Sequence, residues 1–325
     1  MLLSEQERRK RYLLRLSGAR DGKAYIGPAV LHLHITNRCN LACRYCWYHS
    51  PGNPMRLLPR QDMPLSKIAR IVRDCIQLKV DALYLSGEGE PTLHPDFSKI
   101  MSLLKDAPME VTLFTNGTFP LALVKYVVMA DRVIINFAAP DQQTYAAVHG
   151  QDSFRRVVGN IGRLVRFREA RNQAFRIEIV YVTNKRNRDL AGDMEKFAKT
   201  LGVDNFAPTV MQSTVYSSDL VTAYPESGRM VGRGRPCQAC FNGWFYAAYT
   251  LNGQLSLCCQ ITEMDIANFK KHTFKSAWLS EAFNRMRMDG RSGRLIRRFE
   301  ECRQCRAAER NRMTLRDMAA VKRYE

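Results

Sequence analysis

The sequence predicts an α/β fold built on a parallel sheet, and three observations carry that expectation. β-rich runs and helix-period runs alternate between residues 30 and 211. The 325 residues are 46% hydrophobic and 10% aromatic, enough to bury a full core, which excludes a disordered chain and a small disulfide-stapled scaffold. Beyond residue 236 the composition changes to a segment holding six of the ten cysteines, so a second, small, metal-organised domain is expected there. A parallel sheet with helices outside it is either a barrel, partial or full, or a doubly wound sheet, and periodicity leaves both open.

Taken in order, residues 4–17 read as a basic helix carrying Leu13, Leu14 and Leu16 and ended by Gly18. Strand patterns follow at 30–36, 82–86, 111–115, 133–137, 176–183 and 205–211. Between them lie helical patterns at 65–79, 95–105, 121–130, 154–171 and 188–201. The rhythm breaks at 212–236, where Ser, Gly and Pro mark a linker. A hairpin signal comes next, with strands at 246–250 and 255–257 around Asn252-Gly253, and then two basic helices. The division expected is therefore 1–29 lead-in, 30–211 main domain, 212–236 linker and 237–325 cysteine-rich domain. Neither a further repeat nor a low-complexity tract is found.

Lys+Arg number 50 against 31 Asp+Glu, a formal charge of +19 that favours anionic ligands or surfaces. The surplus sits at the ends: residues 285–325 carry 13 basic against 6 acidic groups, and residues 1–23 carry 7 against 3. Solvated helix faces account for such a surplus in the bland case. In the functional case it draws an anionic substrate or an acidic protein partner. A specific nucleic-acid partner is not expected, because no recognised binding module is present. No stretch reaches the roughly 18 apolar residues of a membrane span. The N-terminus turns charged by Glu5 and lacks a signal-peptide core, so a cytoplasmic location is expected. In a reducing compartment clustered cysteines point to metal rather than disulfides.

Directly after the first strand pattern, Cys39, Cys43 and Cys46 stand in C-x3-C-x2-C spacing. Three thiolates on one tight loop hold three corners of a cubane and leave its fourth iron open to a ligand. Three buried structural thiols are the plain alternative. This loop resembles that of the radical S-adenosylmethionine (SAM) enzymes. The resemblance implies a [4Fe–4S] cluster on these cysteines, SAM on the open iron, Tyr45 near the adenine, and cleavage of SAM to a 5′-deoxyadenosyl radical that takes a hydrogen atom from an unactivated C–H bond. The second strand ends in Ser86-Gly87-Glu88-Gly89-Glu90-Pro91, similar to the family's GGEP motif, whose backbone and Glu hold the SAM amino group. Glycines admit the backbone closely, and an ammonium needs carbonyl and carboxylate oxygens. Glu88 departs from the pattern, standing where the first paired glycine belongs; Glu90 is the candidate for the ammonium, with Gly87, Gly89 and Pro91 beside it, and Glu88 a candidate substrate contact. Thr115-Asn116-Gly117 resembles the family's strand-three turn, and Asn136 sits where family members place a polar residue against the SAM ribose. Taken alone, each is an ordinary turn or a satisfied polar residue. The resemblance covers residues 30–211 and implies a partial (β/α)6 TIM-type barrel.

The C-terminal cysteines are Cys237, Cys240, Cys258, Cys259, Cys302 and Cys305. C-x12-G-x4-C from Cys240 to Cys258, followed by C-x2-C at Cys302 and Cys305, resembles the SPASM/twitch extension of the same family. The resemblance implies a shortened twitch domain in which Cys240, Cys258, Cys302 and Cys305 hold one auxiliary iron–sulfur cluster of the [4Fe–4S] type. Tetrahedral zinc on the same four thiolates is the physical rival. Cys237 and Cys259 are left as structural thiols, alternative ligands or hydrogen-atom donors to a substrate radical, as in related epimerases. Cys75 falls in register with Ile68, Ile71 and Val72 on its helix and reads as a core thiol.

Three functions follow. The first is a radical SAM oxidoreductase that oxidises or epimerises a small polar molecule such as a sugar, aminocyclitol or nucleoside derivative. The second is a maturase that crosslinks, oxidises or epimerises a ribosomally made peptide; residues 1–29 are too short for a preceding peptide-recognition domain, which counts against it. The third is a non-enzymatic iron–sulfur or zinc protein, which needs neither Glu90 nor an open iron.

Overall fold

In the computed structural model, residues 3–210, 238–258, 272–299, 302, 305 and 308–321 are described. Helix α1 (Glu5–Asp21) is capped at its start by Ser4, whose hydroxyl accepts the Glu7 N–H, and at its end by Gly22 in the left-handed region (φ 73°). It therefore runs through Gly18, where the sequence pattern ends it. That glycine serves close approach instead, since a Cβ there would stand 2.5 Å from the Lys23 carbonyl oxygen. On the buried face of α1, Arg15 donates to the carbonyls of Gly27, Pro28 and Lys79 and to Asp81. Part of the N-terminal basic surplus thus binds helix to sheet rather than facing solvent.

Strands β1 (Val30–Leu33), β2 (Ala82–Leu85), β3 (Glu110–Thr115), β4 (Arg132–Asn136), β5 (Arg176–Thr183) and β6 (Asn205–Val210) pair in parallel and in chain order. Their connections carry α2 (Leu65–Gln77), α3 (Phe97–Lys105), α4 (Val124–Val127), α5 (Gln142–His149), α6 (Phe154–Arg171) and α7 (Ala191–Thr200). After α8 (Asn242–Phe245), β7 (Tyr246–Tyr249) adds in parallel to β1 and β8 (Leu255–Ser256) returns antiparallel to β7. Among the described residues the order is β6-β5-β4-β3-β2-β1-β7-β8, with two ends and no closure. This is the open, partial barrel expected; helices α9 (Phe274–Trp278), α10 (Glu281–Arg291), α11 (Arg294–Arg298) and α12 (Ala308–Val321) complete it.

Register gives the sheet its two faces. Leu31, Leu33, Leu83, Leu85, Leu113, Val133, Ile135, Ile177 and Ile179 share one set of rows and are buried in a single core with Ile68, Ile100 and Leu164 from the helices. Cys75 belongs to that core. The alternate rows turn to the inside of the barrel: His32, Tyr84, Thr112 and Arg132 occupy one row across four strands. At its base Arg132 makes paired hydrogen bonds of 3.0 Å to Glu178.

Several elements differ from their sequence patterns. β1 stops at Leu33 rather than residue 36, because the chain leaves the sheet to begin the cysteine loop and Thr36 bridges to Asp62 instead. α2 ends at Gln77, since Lys79 adopts a left-handed conformation (φ 56°). The pattern at 121–130 is a 3-10 turn, Leu121–Leu123, followed by the single turn α4. α5 has no counterpart in the sequence pattern, because eight residues carry too few apolar positions to show a period; its signals were the caps, Asp141 accepting the Thr144 N–H (2.8 Å) and Gly150 in the left-handed region.

The hairpin expected at 246–257 forms, with Gly253 at its turn (φ 74°). Its first strand has Ala247, Ala248 and Tyr249 all buried, a both-faces pattern that suits an interior strand, and it lies against β1 in the barrel sheet. The C-terminal segment is tied to the N-terminal one by Trp244 Nε1–H on the Lys23 carbonyl (2.8 Å), Trp278 Nε1–H on the Ile26 carbonyl (3.0 Å) and the Lys275 N–H on Asp74 (2.9 Å). Arg285, Arg294 and Arg312 pair with Glu281, Asp289 and Glu309, so the C-terminal surplus is partly neutralised on its own helices. Among the described residues no helix is long and apolar enough to cross a membrane.

Candidate active site at the strand ends

The chain leaving β1 is pinned before it presents its cysteines. Asn37 donates to the Pro59 carbonyl (2.9 Å) and accepts the Gln61 N–H (2.7 Å), while Arg38 pairs with Asp62. The three thiols of Cys39, Cys43 and Cys46 then gather on one loop. Burial pushes Cys39 up to about 12 and holds Cys43 and Cys46 above the ordinary thiol range, and the negative charge of its two neighbours raises Cys43 further. Thiolates so placed need positive charge beside them, which the iron of a cluster supplies. Two backbone donors already face one of them: the N–H groups of Tyr48 and His49 lie 3.4 and 3.1 Å from Cys46 Sγ. Among the described residues no three Cys, His, Asp or Glu side chains are grouped as a single metal ion requires. A cubane, whose corners hold its thiolates apart, has no such need.

The segment after β2 lies directly on this loop. The Glu90 N–H donates to the Arg38 carbonyl (2.7 Å). Glu90 is buried, and its Oε1 accepts from the Thr92 N–H (3.2 Å), Thr92 Oγ1 (2.7 Å) and Thr115 Oγ1 (2.8 Å), while Oε2 accepts the Asn116 N–H (2.6 Å). Three of these donors crowd Oε1 and one reaches Oε2, which keeps a lone pair, so Glu90 braces the ends of β2 and β3 together without being filled. Pro91 opens the 3-10 turn Pro91–Leu93 that Glu90 caps. Asn116 extends the brace to the cysteine loop, donating to Asn40 Oδ1 (3.0 Å), and Asn40 donates to Thr118 (2.8 Å). At the end of β4, Asn136 accepts the Tyr45 hydroxyl (2.9 Å). Tyr45, Glu90, Thr115, Asn116 and Asn136 are thus brought around the cysteine loop.

Glu88 is buried on the same rim, with Oε1 3.3 Å from His34 Nδ1, and its carbonyl meets His49 Nε2 (2.8 Å). Gly87 carries a φ of 121°. His34 Nε2 is buried and has no hydrogen-bond partner among the described residues. Next to it, His32 Nδ1 meets the Tyr246 hydroxyl (2.7 Å), and the two imidazoles stand edge to face with centroids 5.0 Å apart. Tyr84 and Phe114 flank His32. Where Nδ1–H donates to Glu88, Nε2 keeps its lone pair, so the contact with the carboxylate fixes the ring's orientation. The motif reading missed His32, His34 and Tyr246. Their signal was the alternation of His32 and His34 with Leu31, Leu33 and Ile35, which puts both rings on the face opposite the core.

His149, at the end of α5, was also missed, and no motif surrounds it. Its Nδ1 lies 3.2 Å from Cys43 Sγ and its Nε2 accepts the Ala138 N–H (3.2 Å). Complete burial drives it down to about 3, so the imidazole is neutral.

The second cysteine group is positioned by the C-terminal helices. The Cys240 N–H donates to the Gly290 carbonyl of α10 (2.9 Å), and the Phe241 N–H to Asn311 of α12 (2.8 Å). Ser256 of β8 donates to the Cys258 carbonyl (2.7 Å), and Cys302 packs against the main core. Arg287 is buried between the Trp278 and Phe283 rings at 4.2 and 4.5 Å, donating to the carbonyls of Gly243 and Trp278. Among the described residues no carboxylate pairs with it. Cys237 and Cys259 lie outside the described residues.

Comparison with known proteins agrees with this geometry. Residues 33–201 match the family model of the Radical SAM superfamily, and residues 240–306 match that of SPASM, an iron–sulfur cluster-binding domain. The protein named "Probable GTP 3′,8-cyclase" of Saccharolobus solfataricus is 28% identical over 177 residues, 54% of either chain. Its namesake of Pyrococcus horikoshii is 31% identical over 171 residues, 52% of this chain and 51% of that one. The chain spans about half the length of these curated relatives. Among solved structures, SuiB of Streptococcus suis bound to S-adenosylmethionine superposes with a TM-score of 0.66 at 14% identity, covering 87% of this chain and 72% of that one.

Proposed function

Because this chain belongs to the radical SAM superfamily and carries a SPASM iron–sulfur domain, its cofactors are a [4Fe–4S] cluster with SAM and an auxiliary iron–sulfur cluster, and we propose that it uses them to oxidise or epimerise a small polar substrate held inside the barrel. When bound, the cluster and SAM supply the 5′-deoxyadenosyl radical that takes a hydrogen atom from a substrate C–H bond. Cys39, Cys43 and Cys46 hold the first cluster. The backbone of Gly87 and Gly89 receives the SAM ammonium while Glu90 keeps that backbone in register with Thr115 and Asn116; Tyr45 and Asn136 line the nucleoside side. Cys240, Cys258, Cys302 and Cys305 hold the auxiliary cluster.

One observation supports the substrate reading: the buried His34–Glu88 pair at the strand ends, whose Nε2 has no hydrogen-bond partner among the described residues. In this reading His34 would take the proton of a substrate hydroxyl or ammonium as its carbon is oxidised, the auxiliary cluster would take the accompanying electron, and the Glu88 carboxylate would orient the ring. The +19 charge favours an anionic substrate and an acidic electron donor of the flavodoxin or ferredoxin type, and the cell interior is the expected location. In an epimerase, Cys237 or Cys259 would return the hydrogen atom.

A second reading, maturation of a peptide, is favoured by the likeness to SuiB, which is also solved bound to the precursor peptide SuiA; that superposition has a TM-score of 0.66 and covers 88% of this chain. The test is SAM cleavage to 5′-deoxyadenosine by the reduced, reconstituted protein, followed by product analysis with candidate small molecules and peptides in deuterated water. Solvent deuterium at carbon marks epimerisation, and a product two electrons more oxidised marks dehydrogenation. A modified peptide with inert small molecules would replace the first reading by the second.

A further inference from the structure

α5 grips the cysteine loop on both sides of Cys43. The Ala42 N–H donates to the His149 carbonyl (3.3 Å) and the Arg44 N–H to the Val148 carbonyl (3.0 Å). The His149 ring is held as firmly, stacked on Tyr145 at 4.3 Å and edge-on to Tyr45 at 5.8 Å. Its proton is fixed by geometry. An N–H donated by Ala138 to Nε2 requires a lone pair there, so the ring proton sits on Nδ1, and Nδ1 faces Cys43 Sγ at 3.2 Å. The Tyr45 hydroxyl, 3.5 Å from Nδ1, gives its own proton to Asn136.

We propose that His149 is a positioning residue for the SAM-binding cluster, donating its Nδ1–H to the Cys43 sulfur and thereby raising the cluster's reduction potential. Hydrogen bonds to ligand sulfurs withdraw negative charge from them and favour the reduced, more negative cluster. Cys46 receives its donors from the backbone, which only a proline substitution removes. Cys43 meets the His149 side chain, so here a substitution can remove the donor. The inference rests on Cys43 being a cluster ligand, which Cys43→Ala tests by itself: full retention of that cluster's iron would remove the premise whatever His149 does.

The test is a redox titration of both clusters in the reconstituted holoprotein, followed by electron paramagnetic resonance. His149→Phe keeps the ring volume and loses the donor. It should make reduction of the SAM-binding cluster about tenfold less favourable, about 59 mV for one electron, and leave the auxiliary cluster unmoved. His149→Asn, which keeps an N–H near the Nδ1 position, should recover part of the shift. An unmoved potential in His149→Phe at full iron content overturns the proposal. Should that variant lose iron, the unaltered protein carrying histidine labelled with ¹⁵N at Nδ1 decides: a nitrogen coupling to the reduced cluster is expected, and its absence overturns the proposal.

Discussion

Gly87 lies against the imidazole of His34 so closely that a Cβ on it would stand 2.2 Å from two ring carbons. Gly87, just beyond β2, and His34, just beyond β1, are therefore one packing unit. Its φ of 121° adds a conformation that side chains rarely adopt. Gly87→Ala is expected to turn His34 away from Glu88 and to displace the motif backbone, lowering SAM affinity and turnover each by at least about tenfold, with a stability cost of about 1–3 kcal/mol. Gly192→Ala on α7, where a Cβ meets nothing within 4 Å, is the control and should be neutral or stabilising. Equilibrium SAM binding and thermal unfolding report both.

His34→Gln and Glu88→Gln separate radical generation from substrate chemistry. Each should keep iron content and SAM cleavage, because neither side chain is placed on the cluster. Product formation should fall by about 10²–10⁴-fold, the usual span for a lost proton acceptor. The measurement is product formed per 5′-deoxyadenosine released; an unchanged ratio in both variants removes the pair from the reaction.

His149 gives the apoprotein a signature in acid. Its folded value, lowered to about 3 from the ordinary 6.5, means that the unfolded chain binds the extra proton first. The stability it contributes is present above about 6.5 and is lost as pH falls toward 3, by an amount on the order of a few kcal/mol. Denaturant unfolding of the metal-free chain across this range should show the fall, and His149→Phe should flatten it. An equal slope in the two proteins would assign the acid lability to other groups.

The two cysteine groups should load independently. The unaltered protein is expected to hold about eight iron atoms per chain, and both Cys43→Ala and Cys240→Ala about four. Cys43→Ala should abolish SAM cleavage, whereas Cys240→Ala should retain it and lose substrate oxidation. Iron and sulfide counts on anaerobic protein with a 5′-deoxyadenosine assay check this; zinc replacing iron in the Cys43→Ala protein would reassign the second site.

Much of the fold was legible because each βα unit writes its own period. β5 and α6 coincide with their sequence patterns at both ends. Elements too short to show a period were not legible: α5, with eight residues, and the turn around α4. The site divided along the same line. Cys39, Cys43, Cys46 and the Gly87–Pro91 segment each lie within a short stretch of chain, so the motifs that carry the family resemblance are readable without the fold. His34 was written in the strand alternation, but its meaning depended on Glu88, 54 residues later.

By itself, the sequence carried the βα alternation of a parallel α/β fold and the C-x3-C-x2-C spacing by which the chain is recognised as a radical SAM family member, because those features are encoded in neighbouring residues. Tertiary structure alone decided that β7 joins β1, that Glu90 ties the end of β2 to that of β3, and that His149 meets Cys43 across 106 residues. The physical reason is one of range. Ligand spacing within a loop is fixed by covalent reach, whereas a buried hydrogen bond between distant segments exists only where packing returns the chain to the same place.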